Sequence, residues 1–271
     1  MLRLLCSSGA LITSRNDRNH KLLARAGREL TCEGFEFMMY PAWYEKWEEV
    51  ASDLAAMDIA IVTFHVDKSV GELISRNEDG DIEQARENFT INCRMASMVG
   101  AKLLVLHLWG GMPSDRNIEV NIREYKVLRE IAESFGLLLT IEDVPCNQQN
   151  PLQHMIALHE QYPDISFTFD TRFAAFHGLL DAFLSEEYGW LWNGPIKHVH
   201  IGDFAGEPMD WSALRHCLHP REGKIDFQRF FAHLAKVGYE GTVTVESTSV
   251  AEDGRMLTEK LNDTFTYLRS L

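Results

Sequence analysis

Residues 137–142 read LLLTIE, an apolar run that stops at Glu142, and three later runs end in the same way. ISFTFD (165–170) stops at Asp170, IKHVH (196–200) at His200 and GTVTVE (241–246) at Glu246. A strand of a closed parallel barrel is buried on both faces. A carboxylate or imidazole where its apolar run stops therefore belongs at the rim, where barrel enzymes place their chemistry.

Working outward, short apolar or β-branched runs recur around 2–6, 33–38, 59–65, 102–108, 137–142, 165–170, 196–200 and 242–246. The segments 17–30, 43–57, 81–99, 118–135, 150–161, 173–187, 226–237 and 256–270 carry apolar residues at helical intervals, as with Ile122, Tyr125, Leu128 and Ile131. Strand then helix, eight times over, predicts an α/β protein, a (β/α)8 TIM barrel, rather than an open doubly wound sheet. The 271 residues match the roughly 250 typical of one such barrel. No Pro/Ser-rich linker interrupts them, so residues 1–271 read as a single domain.

The composition, 45% hydrophobic and 24% charged, is that of a folded globular protein, and the formal charge of −14 opposes attraction to phosphate backbones and anionic membranes. No nucleic-acid partner is expected. Cys6, Cys32, Cys93, Cys146 and Cys217 are odd in number and lack C-x-x-C spacing, so they read as reduced thiols in a cytoplasmic protein. MLRLLCSSGALI is broken by Ser7, Ser8 and Gly9 and reads as the first strand rather than a signal segment. No run reaches the ~18 apolar residues of a membrane span. A homo-oligomer is compatible with all of this.

Glu142, Asp170 and Glu246 with one imidazole from His200 make an oxygen-rich set suited to one divalent ion, Mn, Mg, Co or Zn. Buried together without a cation, three carboxylates would repel one another and at least one would take up a proton. Each alone is equally compatible with a strand end capped by solvent or a salt bridge. His65 closes IVTFH and His107 closes LLVLH, which extends the polar ring to two more strands as packing residues, as binders of substrate oxygens or as ligands of a second metal. His198 is expected to face away from His200. Trp109, followed by Gly110 and Gly111, reads as an aromatic wall for a polyol or as simple turn chemistry. Asp203 is a candidate to orient His200, or a solvated loop residue.

The longest connection, 201–225, carries Trp211, Arg215, His216, His219, Arg221 and Lys224 and reads as a lid or anion-binding wall. There is no G-x-S-x-G elbow, and no cysteine has a nucleophile context.

Taken together, LLVLHLWGG, LLLTIEDVP, FTFDTRF, IKHVHIGDF, REGKIDFQRFFAHLAKVGYEG and TVTVES resemble the xylose isomerase-like TIM barrel superfamily, in particular its sugar-phosphate isomerase and epimerase branch. The resemblance implies a metal-dependent isomerase or epimerase for a small sugar or polyol, with Glu142, Asp170, His200 and Glu246 as ligands. It further implies that Glu142 and Glu246 are the acid/base pair, abstracting a proton beside a carbonyl while the metal stabilises the enediolate. His65, His107, Trp109 and Arg221 are then the expected substrate contacts. The chain departs from the family where Phe173 stands in place of a histidine, Gln148 in place of a second glutamate, and Gly206 where an arginine is common. The endonuclease IV branch, a zinc phosphodiesterase, shares the histidines at 65 and 107. A carbohydrate-binding barrel without turnover is the remaining reading.

Overall fold

Eight strands, each hydrogen-bonded to the next, close into a parallel barrel in chain order in the computed structural model, which describes residues 2–271. They are β1 (Arg3–Ser7), β2 (Phe35–Met38), β3 (Ile61–His65), β4 (Leu103–Leu106), β5 (Leu138–Glu142), β6 (Ser166–Asp170), β7 (Ile196–Ile201) and β8 (Thr242–Val245). Each falls on one of the eight runs expected from sequence. Around them lie α1 (Leu23–Glu29), α2 (Trp47–Ala55), α3 (Ser69–Arg76), α4 (Asp81–Met98), α5 (Ile118–Ser134) and α6 (Pro151–Gln161). There follow α7 (Thr171–Phe176), α8 (Leu180–Phe183), α9 (Gly189–Trp192), α10 (Trp211–Leu214), α11 (Phe227–Lys236) and α12 (Thr258–Arg269).

The chain forms two compact units. One runs up to Glu36 and includes 58–60 and 169–271. In it β1 pairs β8 with Leu4 opposite Val243, and β7 pairs β8 with His200 opposite Thr244. Phe169 of β6 packs on Phe183, Trp192 and Phe230 at ring distances of 4.9, 5.2 and 5.7 Å, which seals α8, α9 and α11 against the sheet. Each such fully buried side chain contributes about 1.5–3 kcal/mol of hydrophobic stabilisation.

The other unit is 37–57 with 61–168. Here β3, β4 and β5 pair in register, with His65 opposite Val105 and Val105 opposite Thr140. Thr140 Oγ1 donates to the Leu104 carbonyl or bonds Thr168 Oγ1, at 2.8 and 2.7 Å, so small hydroxyls rather than charges fill the layer below the rim.

The helices depart from expectation in several places, among them α9 and α10, which fall outside every expected segment. Expected from residue 17, α1 begins only at Leu23, because a 3-10 turn capped by Thr13 and Asn16 ends in left-handed Asp17 and Arg18. The expected helix over 173–187 is cut at Gly178, whose φ of +65° ends α7. The helix α3 was not expected: it is short, and the Ser69 amide at its start donates to Asp67 Oδ1 at 3.2 Å. It contains Gly71 because a Cβ there would stand 1.9 Å from the His107 carbonyl oxygen, so only glycine lets α3 pass so close to the end of β4. All five cysteines are free thiols. Among the described residues no helix is long and apolar enough to cross a membrane.

Candidate active site at the strand ends

In the unit built on β3 to β5, the strand ends bring His65, His107 and Glu142 together. All three are buried. His65 Nδ1 lies 2.8 Å from the Val66 carbonyl, an acceptor only, so Nδ1 carries the proton and Nε2 faces Glu142 Oε2 at 3.5 Å. His107 Nε2 stands 2.6 Å from the same oxygen, and the two imidazoles meet edge to face at 5.0 Å. Burial pushes His107 down to about 3, with Lys68 and His65 adding and Glu142 opposing, so the ring is neutral at physiological pH.

Trp109 is fully buried rather than exposed as a wall: its Nε1 donates to the Val144 carbonyl at 3.2 Å and its ring abuts His154 at 5.1 Å. A large aromatic with a single N–H gains most from such a satisfied, enclosed position. Behind it Asp115, which sequence reasoning passed over, gathers a loop. Its carboxylate accepts from the amides of Asn147, Gln148 and Gln149 at 2.8–2.9 Å and meets His154 Nε2 at 3.0 Å. Burial alone would raise Asp115, but these donors outweigh it and bring it down to about 2. Gln148 therefore takes its place through its backbone.

In the other unit, donor atoms of Asp170, His200 and Glu246 lie within 4.8 Å of one another. His200 Nδ1 is 3.6 Å from Glu246 Oε1. Asp170 also caps α7, accepting from the amides of Arg172 and Phe173 at 2.6 and 3.1 Å. Three of the four expected ligands thus sit in this unit, and Glu142 stands with the histidines in the first.

His198 does not face away from His200. Residues two apart on a strand share a face, and the two rings lie 4.9 Å apart, both directed at Glu36 of β2. Glu36 accepts from His198 Nε2 at 2.9 Å and from His200 Nε2 at 3.2 Å, and all three residues are completely buried. Burial alone would raise the Glu36 carboxyl, but the facing His200 and His198 rings hold it well below the usual carboxylate range. The signal in the sequence was a carboxylate between Phe35 and Phe37, in a strand with no reason to be polar except on its inner face.

Asp203 does not orient His200. It accepts from the amides of Phe204 and Ile225 on Oδ1 and of Arg221 and Gly223 on Oδ2, all at 2.8–3.0 Å, and so fixes the long loop after β7. Arg221 is exposed, with its guanidinium over the Tyr267 ring at 4.6 Å. His219 is buried between Thr264 Oγ1 (2.7 Å) and Ser249 Oγ (3.1 Å).

This barrel, with acidic and imidazole side chains where its strands end, is of one known kind. Residues 22–270 match the xylose isomerase-like TIM barrel family, and the chain belongs to it. Among solved structures it is similar to 3-keto-D-glucoside 4-epimerase from E. coli, at 17% identity over 100% of both chains and a TM-score of 0.69. It is similar to an IolI protein with a bound zinc atom, at 15% identity over 99% of this chain and 98% of that one, TM-score 0.73. D-psicose 3-epimerase with D-tagatose from Clostridium cellulolyticum H10 matches at 13% identity over 99% of each chain, TM-score 0.70. No curated protein matches the sequence significantly.

Proposed function

We propose that residues 1–271 act as one barrel domain and as a divalent-metal-dependent sugar or sugar-phosphate isomerase or epimerase. The observation that supports this most is that one donor atom from each of Asp170, His200 and Glu246 falls within 4.8 Å of the other two. Two carboxylates and one imidazole at that spacing, with Glu142 as the fourth ligand the sequence offers, fit a hard or borderline divalent ion, Mn, Mg, Co or Zn. Further support comes from structural neighbours that are sugar epimerases and from the zinc in the IolI structure.

A bound ion would supply Lewis acidity to adjacent substrate oxygens and balance the carboxylate charge. The remaining chemistry belongs to the chain. One of Glu142 and Glu246 takes the proton from the carbon beside the carbonyl. The C–H electron pair becomes a carbon–carbon double bond, and the carbonyl π pair moves to oxygen. The other glutamate, protonated at the outset, gives its proton to the neighbouring carbon while the hydroxyl proton passes from one oxygen to the other, which gives isomerisation, or to the opposite face of the same carbon as the oxygen pair re-forms the carbonyl, which gives epimerisation. His65 and neutral His107 bind substrate oxygens beside Glu142, Trp109 backs that wall from within, and Arg221 meets an anionic group from the loop after β7.

The test is metal analysis of protein purified without chelators, followed by solvent deuterium incorporation into a panel of ketoses and ketose phosphates. One ion per chain and exchange that is lost in Glu246→Gln are expected. Undiminished exchange in that variant overturns the acid/base assignment. The buried grouping of His65, His107 and Glu142 favours one second reading, an endonuclease IV-like zinc phosphodiesterase. About three zinc ions per chain with cleavage of abasic DNA would establish it, against a net charge of −14. A ligand-induced thermal shift with no proton exchange would instead mark a carbohydrate-binding barrel.

A further inference from the structure

Beneath the proposed metal ligands, β2, β7 and β8 hold a polar chain whose carboxylate and imidazoles are buried. Thr242 Oγ1 lies 2.6 Å from His198 Nδ1, and His198 Nε2 lies 2.9 Å from Glu36 Oε2. Glu36 then reaches His200 Nε2 with both oxygens, at 3.1 and 3.2 Å. Thr244 Oγ1 flanks His198 Nε2 at 3.1 Å. Glu36 and the two histidines are each 0% exposed.

A carboxylate in a barrel core is a costly way to fill space, since well-packed apolar residues of similar volume are often neutral or better for stability. What it does well is choose between tautomers. An ionised carboxylate only accepts, so each imidazole nitrogen facing it must carry the proton. His200 has two ring nitrogens with distinct surroundings: Nε2 faces Glu36, and Nδ1 faces Glu246 at 3.6 Å.

We propose that Glu36 is a positioning residue. It holds the proton of His200 on Nε2 and so presents the Nδ1 lone pair to a divalent ion shared with Asp170 and Glu246, while His198, braced by Thr242, holds Glu36 in place. The ion-binding half of this inference rests on the function proposed above; the tautomer half does not. Outer partners of this sort fix ring orientation and raise ligand basicity, and losing one costs about 10–100-fold in metal affinity.

The first experiment records histidine 15N–1H correlations on the unmodified, metal-free protein at about pH 8, above the ordinary histidine range. The His200 resonance is assigned by its loss in His200→Asn. A proton on Nε2 alone is the expected result, and a proton on Nδ1 overturns the proposal. The second measures Co²⁺ affinity by competition with a chelator in the parent and in Glu36→Gln. A Gln carboxamide offers one acceptor oxygen where the carboxylate offers two and turns an N–H toward one of the histidines. A loss of about 10–100-fold is expected, and a smaller loss overturns the proposal. Were Glu36→Gln not to fold, the tautomer measurement on the parent still decides. Were the parent to bind no Co²⁺, the metal reading of the site fails while the Glu36–His200 relationship is read separately from the nitrogen shifts.

Discussion

His107 Nε2 stands 2.6 Å from Glu142 Oε2, and both side chains are buried at the ends of adjacent strands. Glu142 is therefore flanked by a neutral imidazole rather than by a cation, and the function proposed above assigns its negative charge to a metal ion. Glu142→Gln removes that charge while keeping the shape. Divalent-ion affinity, read by competition with a chelator, is expected to fall by more than the roughly 10–100-fold that loss of an outer partner costs. Unchanged affinity would remove Glu142 from the ligand set.

Gly71→Ala sets two effects against each other. Alanine gains about 1 kcal/mol in helix propensity over glycine. Its Cβ, however, would lie 1.9 Å from the His107 carbonyl oxygen, a backbone atom that cannot swing aside. Overpacking of this sort costs about 1–3 kcal/mol or more, so the clash wins and the thermal midpoint falls. A midpoint equal to or above the parent's would show that α3 can retreat from β4.

His219 is expected to make the protein acid-sensitive. Burial, with Lys260 adding, pushes it down to about 4 from an ordinary 6.5. Between those values the unfolded chain binds a proton that the folded one refuses, so stability falls as pH drops from 6.5 toward 4 and this contribution levels off below. His219→Gln is expected to flatten that part of a thermal-midpoint series against pH. Parallel curves for parent and variant would assign the acid sensitivity elsewhere.

A cavity of about 450 Å³ is lined by Arg15 from the loop after β1, Arg215 and His216 from the loop after β7, Thr248 just beyond Glu246, and Lys260. Lys260 is paired with Glu222 at 2.7 Å, so the two arginines supply the positive charge. Replacing both by alanine is expected to raise KM for a phosphorylated ketose about 10-fold or more, the scale of one lost charged hydrogen bond, and to leave the free sugar's KM unchanged. An equal change for both substrates would discount a phosphate there.

The strand ends were legible because a buried parallel strand leaves a polar residue only one reason to follow it. All eight runs became strands, and Asp170, His200 and Glu246 were brought together as their positions implied. What sequence concealed was sidedness and hubs. His198 was misread for want of counting two residues along one strand. Glu36 was overlooked inside FEFMM because its partners lie more than 160 positions away. Asp115 drew no notice and Asp203 looked like a loop carboxylate as much as a partner of His200, since nothing local to either names the amides it collects. The helix α3 was too brief for periodicity to reveal.

Asp203 carries one last implication. Its four partners are main-chain amides, so the fastening of the loop after β7 is largely indifferent to which side chains that loop displays. Proline at 204, 221 or 225 would undo it, and at 223 any side chain would collide, since a Cβ there falls 2.4 Å from Asp203 Oδ1. Elsewhere between those points the surface can drift through mutation while its anchorage stays put.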